Sequence, residues 1–166
     1  MKRFISYLVL VVVCSVAAAW YAAKAWNSYC TRRDEARAVA AAKAESQRLA
    51  HAFAQLVRDC DEVVIVYRDE NSATHLREIR FSDPAWIKAV ATIIEGAACV
   101  QIPPHPPWLW SIEPSIERPT VSFYKNHVSV VEILGGGVLL GNPSPGEVAL
   151  DQESAASIRK LIATRL

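Results

Sequence analysis

The stretch Thr120–Leu134, with the sequence TVSFYKNHVSVVEIL, decides the fold class of this chain. Its first half alternates apolar and polar residues, with Val121 and Phe123 as apolar members, which is typical of a strand that buries one face. The pair Lys125–Asn126 predicts a tight turn, after which Val128 resumes the alternation. Two alternating runs joined by a tight turn predict a pair of antiparallel strands.

Further strands are predicted on both sides of this hairpin. Glu62–Tyr67 is a short apolar, β-branched run, which predicts a strand buried on both faces. In the next strand the apolar phase slips between Leu76 and Ile79, which predicts a bulge. The predicted strands besides the hairpin are Glu62–Tyr67, Thr74–Phe81, Ala98–Ile102, Val138–Leu140 and Glu147–Leu150.

Two helices are predicted among these strands. Asp83 directly precedes Pro84, which predicts the start of a helix. An Asp cap accepts hydrogen bonds from the free amides of the first turn, and Pro fits the first helical position. Asp151 caps a C-terminal helix whose apolar stripe includes Ile158 and Ile162. A meandering antiparallel sheet with two helices predicts an α+β fold, arranged as a two-layer sandwich, for residues 60–166.

A long helical stalk is predicted before this domain, over residues 26–59. Ala, Arg, Lys, Glu, Gln and Leu dominate it, and none of them breaks a helix. Apolar or small residues recur there at spacings of three and four, which leaves two interpretations. Either the later end of the stripe packs on its own domain, or the stripe forms a dimeric coiled coil. The stripe consists of Val39, Ala42, Ser46, Leu49, Phe53 and Leu56.

The N-terminus predicts a membrane anchor, at residues 1–25. Lys2 and Arg3 precede an uncharged run from Phe4 to Ala23, and ~20 helical residues span a bilayer core. Trp20 and Tyr21 stand where an interfacial aromatic belt would fall.

Two alternatives to the anchor are open. Ala17–Ala19 and Ala23–Ala25 offer cleavage patterns of a signal peptide, and Cys14 offers a site of lipid attachment. A retained anchor is favoured because the apolar run is longer than the usual signal core. We expect a single-pass membrane protein whose globular domain lies outside the cytoplasm.

Charge divides the chain into two parts. Residues 1–59 hold nine Lys and Arg against four Asp and Glu, a net charge of +5. Residues 60–166 hold nine against thirteen, a net charge of −4. An acidic globular domain argues against binding to nucleic acid.

The cysteines predict a disulfide if the domain is exported. Cys60 and Cys99 flank the first part of the domain and could pair, whereas Cys30 could bridge two copies in a dimer. The alternative is that both are free buried thiols. No spacing matches a CxxC metal or redox motif.

The segment Ile102–Trp110, IPPHPPWLW, is the strongest candidate for an interaction site. Its four prolines stiffen the backbone, and Trp108 and Trp110, with His105 nearby, could offer a protein-binding or membrane-contact surface. The alternative is a rigid loop tucked across the sheet.

Catalytic chemistry is not indicated, and neither a metal nor a cofactor is expected. The four histidines show no metal-ligand spacing, and Gly135–Gly137 lacks the Lys and Ser/Thr of a phosphate loop. No family motif is recognised. The sequence therefore predicts a membrane-anchored interaction or assembly module with a protein partner or a second copy as its ligand. The alternative is an extracytoplasmic domain that binds a small ligand or the cell envelope.

Overall fold

The structure is a computed structural model that describes residues 2–68, 75–102, 118–135, 137–142 and 146–166, with side chains from Ser15 onward. In this part of the chain three helices are present. They are α1 (Lys2–Arg58), α2 (Pro84–Gly96) and α3 (Gln152–Ala163).

One antiparallel sheet of seven strands forms the other layer of the fold. Its spatial order is β2-β1-β4-β5-β6-β7-β3, and all neighbouring strands are antiparallel. The fold is therefore α+β, as predicted. The strands are β1 (Glu62–Arg68), β2 (Leu76–Phe81), β3 (Cys99–Gln101), β4 (Thr120–Lys125), β5 (Val128–Leu134), β6 (Val138–Gly141) and β7 (Glu147–Leu150).

The hydrophobic core lies between the helices and one face of the sheet, which we call the inner face. Three helices contribute to this core: besides the two helices predicted for the domain, the C-terminal part of α1 supplies Leu49, Phe53 and Val57. This confirms the interpretation in which the later end of the stripe packs on its own domain. Apolar residues at spacings of three and four make this stretch bury one face against the sheet. The fully buried sheet residues are Val63, Ile65, Val121, Phe123, Val131, Ile133, Leu139 and Val148.

The predicted helix starts at Asp83 and Asp151 are both confirmed. The Asp83 carboxylate accepts from the amides of Ala85 and Trp86 at 3.0 and 3.2 Å. The Asp151 carboxylate accepts from the amide of Ser154 at 2.9 Å. Each bond satisfies an amide that has no partner within its helix.

The β4–β5 hairpin contains a β-bulge, whereas the sequence pattern predicted a bulge in β2. Asn126 and His127 adopt φ of 52° and 64°, as a tight hairpin turn requires. The register shifts between Phe123 and Tyr124, so the bulge lies in this pair of strands. The bulge predicted in β2 is wrong, because β2 pairs with β1 in continuous register.

The prediction of a transmembrane anchor at residues 1–25 is contradicted. Of the residues that the structure describes, no helix is long and apolar enough to cross a membrane. Beyond Ala23, Lys24 adds charge to the described part of α1. Arg32 and Arg33 add charge further along α1. A single-pass membrane location, with the domain exported, is consequently not supported.

The chain divides into two compact units, Met1–Ala42 and Lys43–Leu166. The predicted stalk, residues 26–59, thus includes residues of both units, and its last turns belong to the core. In the first unit the described side chains, from Ser15 to Ala42, are all exposed except that of Cys30, which is half-buried.

Candidate interaction surfaces

Four aromatic residues of α1 form the most exposed apolar stretch of the described chain, here called the aromatic stretch. They are Trp20, Tyr21, Trp26 and Tyr29, and between 58% and 68% of each is exposed. At about 100° of rotation per residue, Tyr29 lies on the side of the helix opposite Trp20. The aromatic rings thus surround the helix instead of forming one stripe.

The aromatic rings contact each other and one cation within the helix. Trp20 and Tyr21 meet edge to face with centroids 5.2 Å apart, and the Lys24 Nζ lies 5.2 Å from the Trp20 ring. Trp26 and Tyr29 lie 6.1 Å apart. These local contacts orient the rings but leave most of their surface open, so the stretch can contact another molecule on several sides.

Polar side chains beside the aromatic stretch are satisfied by the helix itself. Ser28 donates to the Lys24 carbonyl at 3.0 Å, and Thr31 donates to the Asn27 carbonyl at 2.9 Å. Because these hydroxyl groups already donate to backbone carbonyls of the same helix, they are not available to donate to another molecule. The surface available to a partner is therefore largely apolar.

A second candidate surface is the sheet face turned away from the helices, which we call the outer face. The strand register places one residue from each of seven strands at the same level there. Six of them form a row of apolar or small side chains, here called the outer row. It consists of Val66, Thr120, Leu134, Val138, Ala149 and Val100.

One ion-pair cluster of the domain connects α1 to α2. Glu95 of α2 accepts from Arg58 of α1 and contacts the His51 Nδ1 at 3.2 Å. The hydrogen bond from Arg58, supported by His51, lowers the pKa of the Glu95 carboxyl. All three side chains are partly exposed, so we interpret the cluster as a surface ion-pair network that links α1 to α2.

Asp151 joins α3 to the start of β3. Besides capping α3, its carboxylate accepts from the amide of Ala98 at 2.8 Å and from the Ser154 hydroxyl at 2.9 Å. The bonds from Ser154, then the bond from Ala98, lower the pKa of this carboxyl. A shallow groove between α2 and α3 borders Asp151 and is also lined by Thr92, Gly96 and Ser157. Glu153 also lines the groove, and two carboxylates without a cationic side chain among the lining residues do not by themselves indicate a ligand.

Cys60 and Cys99 are free, buried thiols in the structure. The predicted bridge between them is not formed, because β1 and β3 are separated by four intervening strands. That order sets their segments ~24 Å apart, whereas a disulfide needs Cα atoms within ~7 Å. Burial raises the pKa of the Cys60 thiol to about 12 and that of Cys99 to about 11.

The other predicted interaction residues, His105, Trp108 and Trp110, lie outside the residues that the structure describes. In the part that it does describe, no group of acidic, histidine or cysteine side chains is arranged to hold a metal ion. The sequence-based interpretation assigned Trp20 and Tyr21 to a membrane interface and missed Trp26 and Tyr29. Their clustering within ten residues was the available signal.

Comparisons with known proteins do not assign the chain to a family. No family model matches it, and neither a curated protein nor a solved structure is similar to it.

Proposed function

We propose that this protein is an interaction or assembly module, and that the aromatic stretch of α1 is its contact surface for a protein partner. The observation that carries the proposal is the exposure of Trp20, Tyr21, Trp26 and Tyr29 within a few turns of helix. Aromatic side chains are enriched at the energetic centres of protein interfaces.

Two physical arguments support this role. The exposed parts of the four rings amount to roughly 500 Å² of aromatic surface, distributed around the helix. From Ser15 to Tyr29 the one charged residue is Lys24, and apolar helix surface of this kind is normally buried against other apolar groups. The segment Ser15–Ala42 buries no side chain by itself, and an isolated helix gains little stability without tertiary packing.

The partner we favour is a second copy of the chain. Cys30 lies one residue beyond Tyr29 and is the only half-buried side chain of the segment 15–42. A disulfide between the Cys30 residues of two copies would show that their α1 helices lie parallel to each other. A different protein that docks on the same rings is the other outcome of the test.

The test is sedimentation equilibrium of the full chain and of a double variant, Trp26→Ala with Tyr29→Ala. We expect the parent chain to associate and the variant to lose at least ~30-fold in affinity, the effect of removing a hot-spot residue. Leu76→Ala with Val128→Ala is the matched control, because these side chains are similarly exposed on the sheet domain. The proposal would be contradicted if the parent chain stayed monomeric and no other protein co-purified with it in stoichiometric amount.

A further inference from the structure

The two edges of the sheet differ in how far they are protected. The sheet ends in β2 on one side and in β3 on the other, and in the described part of the chain no strand lies beyond either. β3 has only three residues, and the amide of its first residue, Cys99, donates to the Ser46 hydroxyl of α1 at 2.8 Å. A short edge strand that a helix covers is protected from pairing. β2 has six residues, so its edge is the one long enough to accept another strand.

The hydrogen bonding of the inner strands determines which residues of β2 face the open edge. The Tyr124 carbonyl accepts from the Asp61 amide at 3.0 Å, so the even-numbered residues of β4 turn their backbone groups toward β1. Because these groups alternate in direction along a strand, the register carries this phase across β1 to β2. The backbone groups of Ile79 consequently point toward β1, whereas those of Glu78 and Arg80 point to the open edge.

Glu78 and Arg80 also place opposite charges on one face of the sheet. They lie in register with Val66 and Val64 of β1, on the outer face. Their side chains form an ion pair with each other, and the Arg80 Nη1 lies 3.4 Å from the Glu62 Oε1. Because the Glu78 and Arg80 side chains are still 45% and 59% exposed, both charges can also interact with charged groups on an adjacent strand.

Only one two-fold register of two β2 strands places these opposite charges against each other. A two-fold axis perpendicular to the sheet keeps each face on its own side, so the axis passes between two copies of the same residue. With the axis at Ile79, Glu78 of each copy lies opposite Arg80 of the other. With the axis at residue 78 or 80, like charges would lie opposite each other at the axis itself.

The backbone favours the same register. Glu78 and Arg80 of opposing copies would form hydrogen-bonded pairs, in which the two residues exchange both of their backbone bonds. Opposite charges that face each other across two strands stabilise the pairing. Charged side chains on an edge strand normally oppose pairing with other strands, and here their order makes a second copy of β2 a complementary partner.

We propose that the edge of β2, residues 77–81, is a contact between two copies of the chain, which join their sheets as antiparallel strands around Ile79. The paired segments are short, so the interface belongs to the small class that is typical of transient complexes. Leu76 lies beyond the paired segment. This inference does not depend on the role proposed for the aromatic stretch.

A mixture of two full-length variants tests this register. One chain carries Glu78→Cys and the other Arg80→Cys, both with Cys14→Ala and Cys30→Ser. The two introduced residues would lie opposite each other, with Cα atoms ~5.5 Å apart, which is within the range of a disulfide. Identical thiols at residue 78 or 80 would lie further apart, at more than ~7 Å. Mild oxidation should therefore bridge the mixture at least ~10-fold faster than either variant alone.

A cysteine at an exposed position away from the sheet edge is the control. Val128 is 59% exposed and belongs to β5, inside the sheet. A mixture of Val128→Cys and Glu78→Cys chains, in the same background, should give no bridge above the single variants. Cys60 and Cys99 react slowly at neutral pH, because burial raises their pKa to about 12 and 11. Equal bridging of the first mixture and of its separate variants would overturn the proposal.

Charge variants distinguish a contact between chains from the ion pair within one chain. Their readout is the bridge between two Ile79→Cys residues, which lie at the proposed axis. Glu78→Arg and Arg80→Glu each put like charges into both facing pairs, so each should slow this bridge by ~10-fold. Mixing the two variants restores opposite charges between chains but not within either, and should restore bridging between the two kinds of chain.

Two outcomes of the charge experiment would overturn the proposal. The first is that the two charge variants bridge equally well alone and mixed, because the charges would then act only within each chain. The second concerns chains that also carry Trp26→Ala and Tyr29→Ala, in which the preference for the mixture should persist. Its disappearance there would assign the bridging to the aromatic stretch.

Discussion

At the scale of the residue, the turn of the β4–β5 hairpin stores strain that one substitution should relieve. His127 adopts φ of 64°, a left-handed conformation that costs a side-chain-bearing residue roughly 1–2 kcal/mol. Glycine reaches it freely, although it also gives the unfolded chain more entropy. We expect His127→Gly to raise the free energy of unfolding by ~0.5–1 kcal/mol in urea titrations. Ser129→Gly, in the adjoining strand β5, is the control and should lower it.

Also at the residue scale, Asp151 should make stability depend on pH in the acid range. Its hydrogen bonds to Ser154 and Ala98 lower the pKa of the folded state below the unfolded value. The stability they provide is thus present above the unfolded pKa and is lost as the pH falls through the folded pKa. Asp151→Ala should cost ~1–2 kcal/mol at neutral pH, as loss of a helix cap does, and less in acid. Gln152→Ala, whose side chain is exposed and uncharged, should show neither effect; a constant difference between Asp151→Ala and the parent chain across the pH range would contradict this explanation.

At the scale of the element, the two parts of α1 should respond differently to equivalent changes. Phe53 is fully buried beneath the sheet, whereas Val39 is 69% exposed. Phe53→Ala should destabilise the domain by ~3–5 kcal/mol, the usual cost of truncating a buried aromatic. Val39→Ala should change the unfolding free energy by less than ~0.5 kcal/mol. Similar losses in chemical denaturation at both positions would show that residue 39 is also packed in solution.

At the scale of the whole molecule, the domain should fold without the first compact unit. No described side chain of residues 15–42 is buried, so deletion of residues 1–42 should leave the melting temperature of the domain nearly unchanged. Deletion of residues 1–58 removes Leu49, Phe53 and Val57 from the core and should abolish cooperative unfolding. Calorimetry of the two truncated chains distinguishes these results. A large stability loss on the shorter deletion would show that the domain needs the earlier part of α1.

The sequence by itself determined the local elements of this protein. The hairpin at Lys125–Asn126, the caps at Asp83 and Asp151 and the strand alternation all depend on neighbouring residues. Backbone sterics and side chain–backbone hydrogen bonds act over only a few positions. This is why the α+β class was predictable.

Only the tertiary structure decided how these elements meet and which surfaces remain open. The sheet order separates Cys60 from Cys99, and packing draws Leu49 and Phe53 into the core while the aromatic stretch stays exposed. The candidate contact surface was predictable only as a cluster of aromatic residues, because exposure is not encoded in spacing. Strand pairing and burial depend on contacts between residues far apart in the chain, which local patterns do not specify.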